Sequence, residues 1–195
     1  MAVSQIFKTV SAAIGLSACA SAPDPVLYVL DTVSPSSDFA SGDTLISLAE
    51  VRLPSYARDQ KITSLDGQNR VVKDGDHRWA SPPEEALTLR LAAALEEETG
   101  VRVLVRPVPS GLTPDFSLTV SFDELMRGEA GEAIARGQFT LVGFDQISSV
   151  ERFDFTIQTG DRNYDGFMRG VSRAIERLSE QIGNDLDDFI VQSPE

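Results

Sequence analysis

The chain has 195 residues, of which 42% are hydrophobic and 24% are charged, and its formal net charge is −13. This length and balance predict one globular domain with a substantial core. The acidity argues against general attraction to nucleic acid or to anionic lipid surfaces. The single cysteine excludes an intrachain disulfide and a cysteine-based zinc site, and the single histidine, His77, excludes a Cys/His metal cluster.

The first nineteen residues have the plan of a secretory signal. Lys8 is their only charged side chain, a short apolar run follows at 9–16, and small residues precede Cys19. The run is far shorter than the roughly 18–20 residues that span a bilayer. Because the only cysteine follows Leu-Ser-Ala, the segment resembles a bacterial lipobox, in which the thiol is diacylated and the signal is cut before the cysteine. The alternative is an ordinary signal peptide in which Cys19 is incidental.

Cleavage at a lipobox divides the chain into a signal peptide at 1–18, a lipidated tether at 19–25 and one domain at 26–195. Acyl chains on Cys19 would anchor the protein firmly, since each buried CH₂ contributes about 0.8 kcal/mol. Ala20 follows the cysteine where inner-membrane lipoproteins of many Gram-negative bacteria have Asp. By that resemblance, the outer membrane is favoured over the inner membrane.

Short strands and turns are expected at the start of the domain, where apolar runs alternate with turn-forming residues. The predicted positions are a short buried strand at 26–31, a loop at 34–43, a strand at 44–54, a short helical turn at 55–62, and a hairpin at 61–75 that turns at the sequence DGQN.

The clearest helix pattern lies at 79–100. Ser81 is expected to cap its start, with Pro82 in the first helical position and Glu84 completing a capping box. Gly100 is placed to end the helix. The apolar positions that share one face are Leu87, Leu91, Ala94 and Leu95.

Alternating residues beyond this helix predict four strands. They are placed at 101–105, 116–123, 134–145 and 151–158. The last three are long and are joined by short turns, which indicates an antiparallel meander with one solvent-exposed face.

The chain closes with a predicted helix at about 164–190, for which Asp165 is a plausible cap. Its apolar stripe favours packing on its own sheet, and an intermolecular coiled coil is the alternative. The stripe consists of Phe167, Val171, Ile175, Leu178, Ile182, Leu186 and Phe189. The predicted fold is therefore α+β, with a mixed, largely antiparallel sheet covered on one face by two amphipathic helices.

No catalytic motif stands out in the sequence, which lacks a nucleophile elbow, an HExxH helix, a P-loop and a GxGxxG turn. His77 lies among polar, turn-like residues and is interpreted as a surface histidine. Asp66, Asp74 and Asp76 lack the ligand spacing of a calcium loop, so solvated turn residues are favoured over a weak cation site. The acidic run at 96–98 is interpreted as a solvated face, with a partner's basic patch as the alternative.

Two aromatic residues are candidates for contact with a partner protein. Trp79 opens the first helix, where it packs under the Pro82-Pro83 turn or anchors a partner. Tyr56 follows a predicted strand end, and core packing and partner contact are equally open for it.

Several short motifs occur in the order typical of one family. After the lipobox come Tyr28-Val29-Leu30, then Val51, Leu53, Pro54 and Tyr56, then Arg78-Trp79-Ala80, then Asp115-Phe116-Ser117-Leu118, and finally a closing helix. In this order they resemble the PqiC-like auxiliary lipoproteins of ABC-type transporters. Family members often have Glu and Leu where this chain has Ser81 and Pro83, so a contact made through that acid is not carried over.

The resemblance implies a non-catalytic periplasmic lipoprotein of the Gram-negative envelope, with a fold similar to the N-terminal domain of TolB and with no cofactor apart from the acyl lipid on Cys19. It implies membrane-anchored MCE-domain proteins and an ABC permease and ATPase as partners in moving lipids between membranes, and some relatives form homo-oligomeric rings. An assembly or scaffolding factor for another outer-membrane or secretion complex is the alternative. A periplasmic hydrolase is disfavoured, because the lone His77 offers no convergent catalytic set.

Overall fold

An open mixed sheet of eight strands carries two helices in the computed structural model, which describes residues 24–31, 44–143 and 148–192. The strands are β1 (Val26–Tyr28), β2 (Leu45–Leu48), β3 (Lys61–Leu65), β4 (Val71–Trp79), β5 (Arg102–Val105), β6 (Phe116–Arg127), β7 (Ala133–Gly143) and β8 (Ser148–Ile157). The helices are α1 (Pro83–Thr99) and α2 (Tyr164–Gln192), and a 3-10 turn spans Ser55–Ala57. The predicted fold class is confirmed.

The antiparallel meander of β6, β7 and β8 is the longest paired part of the sheet, as predicted. β6 pairs with β7 from Phe116↔Gly143 to Arg127↔Ala133, with a bulge between Phe122 and Glu124. Alternate residues such as Leu118 and Val120 are fully buried. The face that carries them contacts the helices and is called the helix face; the opposite, polar face is called the open face.

The other edge of β6 is shared by two parallel strands. β2 pairs with the start of β6 at Ile46↔Phe116, and β3 pairs with its end at Ser64↔Arg127. β5 pairs with the far side of β2. On the other side, β4 pairs with β3, and β1 pairs with β4 at the edge of the sheet. The strand predicted at 44–54 is regular only to Leu48; the chain then follows β6 irregularly as far as Arg52, which bridges Ser121, before the 3-10 turn leads to β3.

The predicted hairpin is formed by β3 and β4. Its turn closes with the Asp66 N–H donating to the Arg70 carbonyl at 3.0 Å, and Asn69 takes a left-handed conformation with φ of 56°. β4 continues to Trp79, so His77 lies in a strand rather than in the polar turn that the sequence indicated. β1 is also shorter than predicted, and Val26 and Leu27 are exposed because β1 lies at the sheet edge.

The capping box predicted for α1 is wrong. Pro82 occupies the cap position, no side chain caps the helix, and Ser81 lies outside it. Glu84 instead accepts the Leu53 N–H at 2.9 Å, so its carboxylate ties α1 to the preceding segment. Gly100 ends the helix as predicted, with φ of 69° and its N–H donating to the Glu96 carbonyl.

The start of α2 is capped by Asn163 rather than by Asp165. The Asn163 Oδ1 accepts the Gly166 N–H at 2.7 Å, which satisfies one of the free amides of the first turn. Gly170 allows α2 to approach β7 closely, since a Cβ there would lie 2.7 Å from the Ala133 Cβ.

Both helices contribute to one core on the helix face. The α2 positions from Phe167 to Leu186 predicted for the apolar stripe are buried, so α2 packs on its own sheet as favoured. Arg90 of α1 reaches Glu176 of α2 at 2.7 Å and joins the two helices. The open face carries no helix within the described residues.

Candidate functional site

The predicted lipidation site, Cys19, lies outside the described residues. The first described residue, Asp24, follows it by five positions, and β1 begins two residues later. β1 is the edge strand next to β4, pairing in parallel from Val26↔His77 to Tyr28↔Trp79. Any anchor on Cys19 would therefore connect to this edge of the sheet.

A group of polar and aromatic side chains holds β1 to the rest of the domain; we call Tyr28, Asp74, His77, Arg127 and Tyr164 the Tyr28 cluster. The Tyr28 hydroxyl and the His77 Nδ1 are 2.8 Å apart. The His77 ring stacks on Tyr164, with centroids 3.9 Å apart and an interplanar angle of 15°. The Arg127 guanidinium also lies over the Tyr164 ring, 5.2 Å from its centroid. The cluster joins β1, β4, β6 and α2.

The Asp74 carboxylate is the hydrogen-bond acceptor of this cluster. It accepts hydrogen bonds from the Tyr164 hydroxyl at 2.5 Å and from the backbone N–H groups of Asp76 and His77. Partial burial alone would raise the pKa of the Asp74 carboxyl, but these three hydrogen bonds outweigh it and lower the pKa. Burial, and then the Asp74 carboxylate, raise the pKa of Tyr164 to about 12.

The contacts of the Tyr28 cluster connect separate elements of the fold. His77 is engaged on its Nδ1 by the Tyr28 hydroxyl and on its ring by Tyr164. Sequence patterns singled out Tyr28, Asp74 and His77 but did not bring them together, since contacts such as Tyr164 with Asp74 join residues 90 positions apart.

Tyr56, one of the two predicted partner contacts, lies in the 3-10 turn and is half-buried. Its hydroxyl donates to the Asp123 carbonyl at 3.4 Å. Burial, followed by the negative charge of Glu124, raises the pKa of Tyr56. The ring therefore packs against the core while its hydroxyl end reaches the charged bulge of β6.

Trp79, the other predicted contact, is only 4% exposed and belongs to the core. The expectation of an exposed anchor is therefore corrected. The end of β4 lies between β1 and β3, and the Trp79 N–H donates to the Gln60 carbonyl. Core packing, the alternative given by the sequence, is what the fold requires of an apolar ring at this position.

Beside Tyr56, the open face has a groove of about 510 Å³; we call it the open-face groove and define it by Asp123, Glu124, Arg136, Arg152 and Asp154. Arg136 donates to Asp154 at 2.8 Å and also to Glu124, and these bonds raise the pKa of its guanidinium. Arg152 approaches Asp123 only to 4.0 Å. The groove is shallow and charged, which suits recognition of a protein surface better than bond-breaking chemistry.

The described parts of the chain offer no metal centre. No group of three or more His, Cys, Asp or Glu side chains there is arranged to hold an ion, and the carboxylates of Asp66 and Asp74 each accept hydrogen bonds from neighbouring donors. Of the acidic run at 96–98, Glu96 accepts a hydrogen bond from the Val103 N–H at 3.0 Å.

Neither described helix combines the length and apolarity needed to span a membrane.

The structure is similar to solved proteins of low sequence identity. One, described as an uncharacterized protein, has a TM-score of 0.72 at 18% identity, covering 84% of this chain and 99% of its own. A DUF330 protein from Xanthomonas campestris has a TM-score of 0.61 at 14% identity, covering 81% and 93%. A PelC dodecamer from Paraburkholderia phytofirmans has a TM-score of 0.44 at 13% identity, covering 77% and 92%.

No curated protein matches the chain. A family model does match it, over residues 28–183, and that model describes the ABC-type transport auxiliary lipoprotein component. The match begins at Tyr28, the last residue of β1, and ends within α2, so it covers most of the described fold. The chain therefore belongs to the family of ABC-type transport auxiliary lipoproteins.

Proposed function

We propose that this protein is a lipid-anchored, non-catalytic docking subunit of an MCE and ABC-type system that moves lipids between the membranes of the Gram-negative envelope. The observation that carries the proposal is the family match over residues 28–183. The lipobox-like sequence before Cys19 supports the anchor. The description of the family as an auxiliary component of transport supports a role without catalysis.

The anchor would act by holding one edge of the sheet near a membrane. Val26 is seven positions after Cys19, and an extended chain spans at most about 3.6 Å per residue, so β1 would begin within about 25 Å of the acylated cysteine. We place the anchor in the outer membrane, because Ala20 replaces the Asp of inner-membrane lipoproteins. The domain would then face the periplasm.

The docking surface in this proposal is Tyr56 together with the open-face groove. Tyrosine is enriched at interface hot spots because its ring supplies apolar area and its hydroxyl supplies a hydrogen bond. Tyr56 borders the acidic residues Asp123 and Glu124, and the groove also contains Arg136 and Arg152, so charges of both signs can select a partner. The partner would be the MCE-domain protein or the ABC permease, and a homo-oligomeric ring would present several copies of the surface.

Membrane fractionation of a Cys19→Ala variant tests the anchor. The variant should leave the membrane fraction, and mass spectrometry of the unmodified protein should show an acylated N-terminal peptide that begins at Cys19. A Ser21→Ala variant, in the same tether, is the matched control and should remain membrane-bound. An unmodified protein with a bare thiol, or with a different mature N-terminus, would refute the anchor.

Capture of an MCE-domain protein or an ABC permease from the native cell envelope tests the docking role. The lipidated protein in mild detergent should recover one of them, and Tyr56→Ala should reduce recovery about tenfold, as expected for loss of a hot spot. Tyr56→Phe, which keeps the ring, and Arg173→Gln, on the exposed side of α2, are the controls. Repeated recovery of another envelope complex, with neither of these proteins, would favour the scaffolding alternative.

A further inference from the structure

A second cavity on the open face is built around Arg106, which follows the last residue of β5. It has a volume of about 290 Å³. Ser47 of β2 and Ser117 of β6 are cross-strand neighbours, and Leu104 of β5 pairs with Ser47 on its other side. Because side chains alternate along a strand, Arg106 lies on the same face as Leu104 and its side chain can extend over the two serines.

The guanidinium is held in place by both serines. Its Nε donates to the Ser47 Oγ at 2.9 Å, and its Nη2 donates to the Ser117 Oγ at 2.5 Å. Ser47 is 5% exposed, so one wall of the cavity is a buried polar side chain. Two small residues at these positions leave the space that the arginine occupies.

This arrangement leaves donors available to a ligand. Arginine has five N–H donors, and two are used by the serines. Each serine oxygen accepts from Arg106, so its own O–H proton can point elsewhere. Among the described residues, no carboxylate lies within ion-pair distance of the Arg106 guanidinium, in contrast to Arg136, which contacts two.

The remaining walls combine one acid with apolar groups. Asp115 lines the cavity, and its Oδ2 accepts the Leu45 N–H at 2.8 Å. Pro114, Phe116 and Val142 supply apolar surface. A ligand that fits these walls has an oxyanion for Arg106 and an apolar part for the rim.

We propose that the Arg106 cavity is a binding site for an oxyanion, a phosphate or carboxylate group, which receives hydrogen bonds from the guanidinium and from the hydroxyls of Ser47 and Ser117. The site goes beyond the docking role and does not depend on Cys19. A free inorganic anion and the headgroup of an amphiphile share this chemistry. The apolar rim favours the amphiphile.

The test is a ligand titration of the purified full-length protein in mild non-ionic detergent. Binding is monitored through the NMR signal of the Arg106 Nε–H. The probes are inorganic phosphate, hexyl phosphate and hexyltrimethylammonium. We expect a saturable shift with hexyl phosphate and no shift with the ammonium compound. Phosphate binding as tightly as hexyl phosphate would also support the site and would assign it to free anions.

Two variants that should change the affinity for hexyl phosphate in opposite directions sharpen the test. Calorimetry measures this affinity. Arg106→Gln should weaken binding about tenfold or more, because a charge-assisted hydrogen bond is lost. Asp115→Asn should tighten it about two- to fivefold, because one repulsive charge is removed while the amide oxygen still accepts the Leu45 N–H. Arg173→Gln, on the opposite side of the molecule, should change affinity less than twofold.

Three results would overturn the proposal. The first is no saturable shift with either phosphate compound. The second is equal binding of hexyl phosphate and hexyltrimethylammonium, which would show simple apolar partitioning. The third is an affinity for hexyl phosphate that Arg106→Gln leaves unchanged while its far-ultraviolet circular dichroism shows a folded protein.

Discussion

The meander and the β1 edge of the sheet are built from strands of different length. β6, β7 and β8 have 12, 11 and 10 residues, whereas β1 and β3 have three and five. The meander buries Phe139, Leu141 and Phe153 beneath α2, while Val26 and Leu27 of β1 are 50% and 60% exposed. The meander therefore buries more apolar surface than β1 does, and this burial stabilises its strands.

The β1 edge compensates for its small core with specific polar contacts. The Tyr28 cluster joins β1 to β4 and α2 through two hydroxyl hydrogen bonds and one stacked ring pair. A net hydrogen bond contributes only about 1 kcal/mol, so this edge is expected to open before the meander does. The comparison indicates that the region nearest the predicted anchor is less stable than the meander.

The largest expected effect comes from truncating the α2 stripe. Leu178→Ala should lower the free energy of unfolding by about 3 kcal/mol, because Leu178 is 1% exposed and a cavity would remain. Leu27→Ala, the matched control in β1, should lower it by less than about 0.5 kcal/mol. Urea unfolding followed by circular dichroism measures both, and similar losses for the two variants would contradict the comparison.

The next largest loss of stability is expected at Gly137 of β7, which lies opposite the β6 bulge. A Cβ on Gly137 would lie 2.1 Å from the Ser121 carbonyl oxygen and 2.8 Å from the Phe153 ring, so Gly137→Ala should cost about 2 kcal/mol through forced backbone movement. Gly75→Ala in β4 is the control, since a Cβ there meets nothing within 4 Å. The control should be neutral or slightly stabilising. A neutral Gly137→Ala in urea unfolding would show that the bulge tolerates a side chain.

A smaller effect is expected from Tyr164→Phe, which removes the donor to Asp74. The variant should lose about 1 kcal/mol of stability at neutral pH. Because the pKa of Asp74 is lowered from 3.8, its stabilising contribution is present above that value and is lost as pH falls through the lower, folded-state pKa. The difference between the variant and the unmodified protein should therefore narrow below about pH 4. A difference that is constant from pH 7 to pH 3 would argue against the Asp74 contact.

The smallest effect concerns the ionisation of Tyr164, which is expected at a pKa of about 12 rather than 10.0. Asp74→Asn should move it toward 10.0, because the nearby negative charge is removed. The raised pKa makes the contribution of Tyr164 to stability present below pH 10 and lost as pH rises through about 12. NMR titration of the tyrosine Cζ signals measures this shift, with Tyr56 as an internal control that has no contact with Asp74. Ionisation of Tyr164 near 10 in the unmodified protein would contradict the cluster geometry.

Local sequence patterns predicted most of the secondary structure. The alternation in β6 and β8, the apolar stripes of α1 and α2, and the helix-ending Gly100 were all confirmed, because each depends on neighbours within a few residues. The capping box at Ser81 failed for the opposite reason. The Glu84 carboxylate accepts a hydrogen bond from the Leu53 N–H, which is 31 positions away. A local sequence pattern does not predict a contact of this range.

The sequence by itself determined the fold class, the meander, the buried helix stripes and the resemblance that the family match confirmed. Only the tertiary structure decided that Trp79 is buried, that His77 joins Tyr28 and Tyr164, and which residues form the two open-face cavities. The physical reason is the range of the interactions. Periodicity reports which face of an element is apolar, whereas contacts between residues 49 or 90 positions apart depend on how the strands are ordered in the sheet.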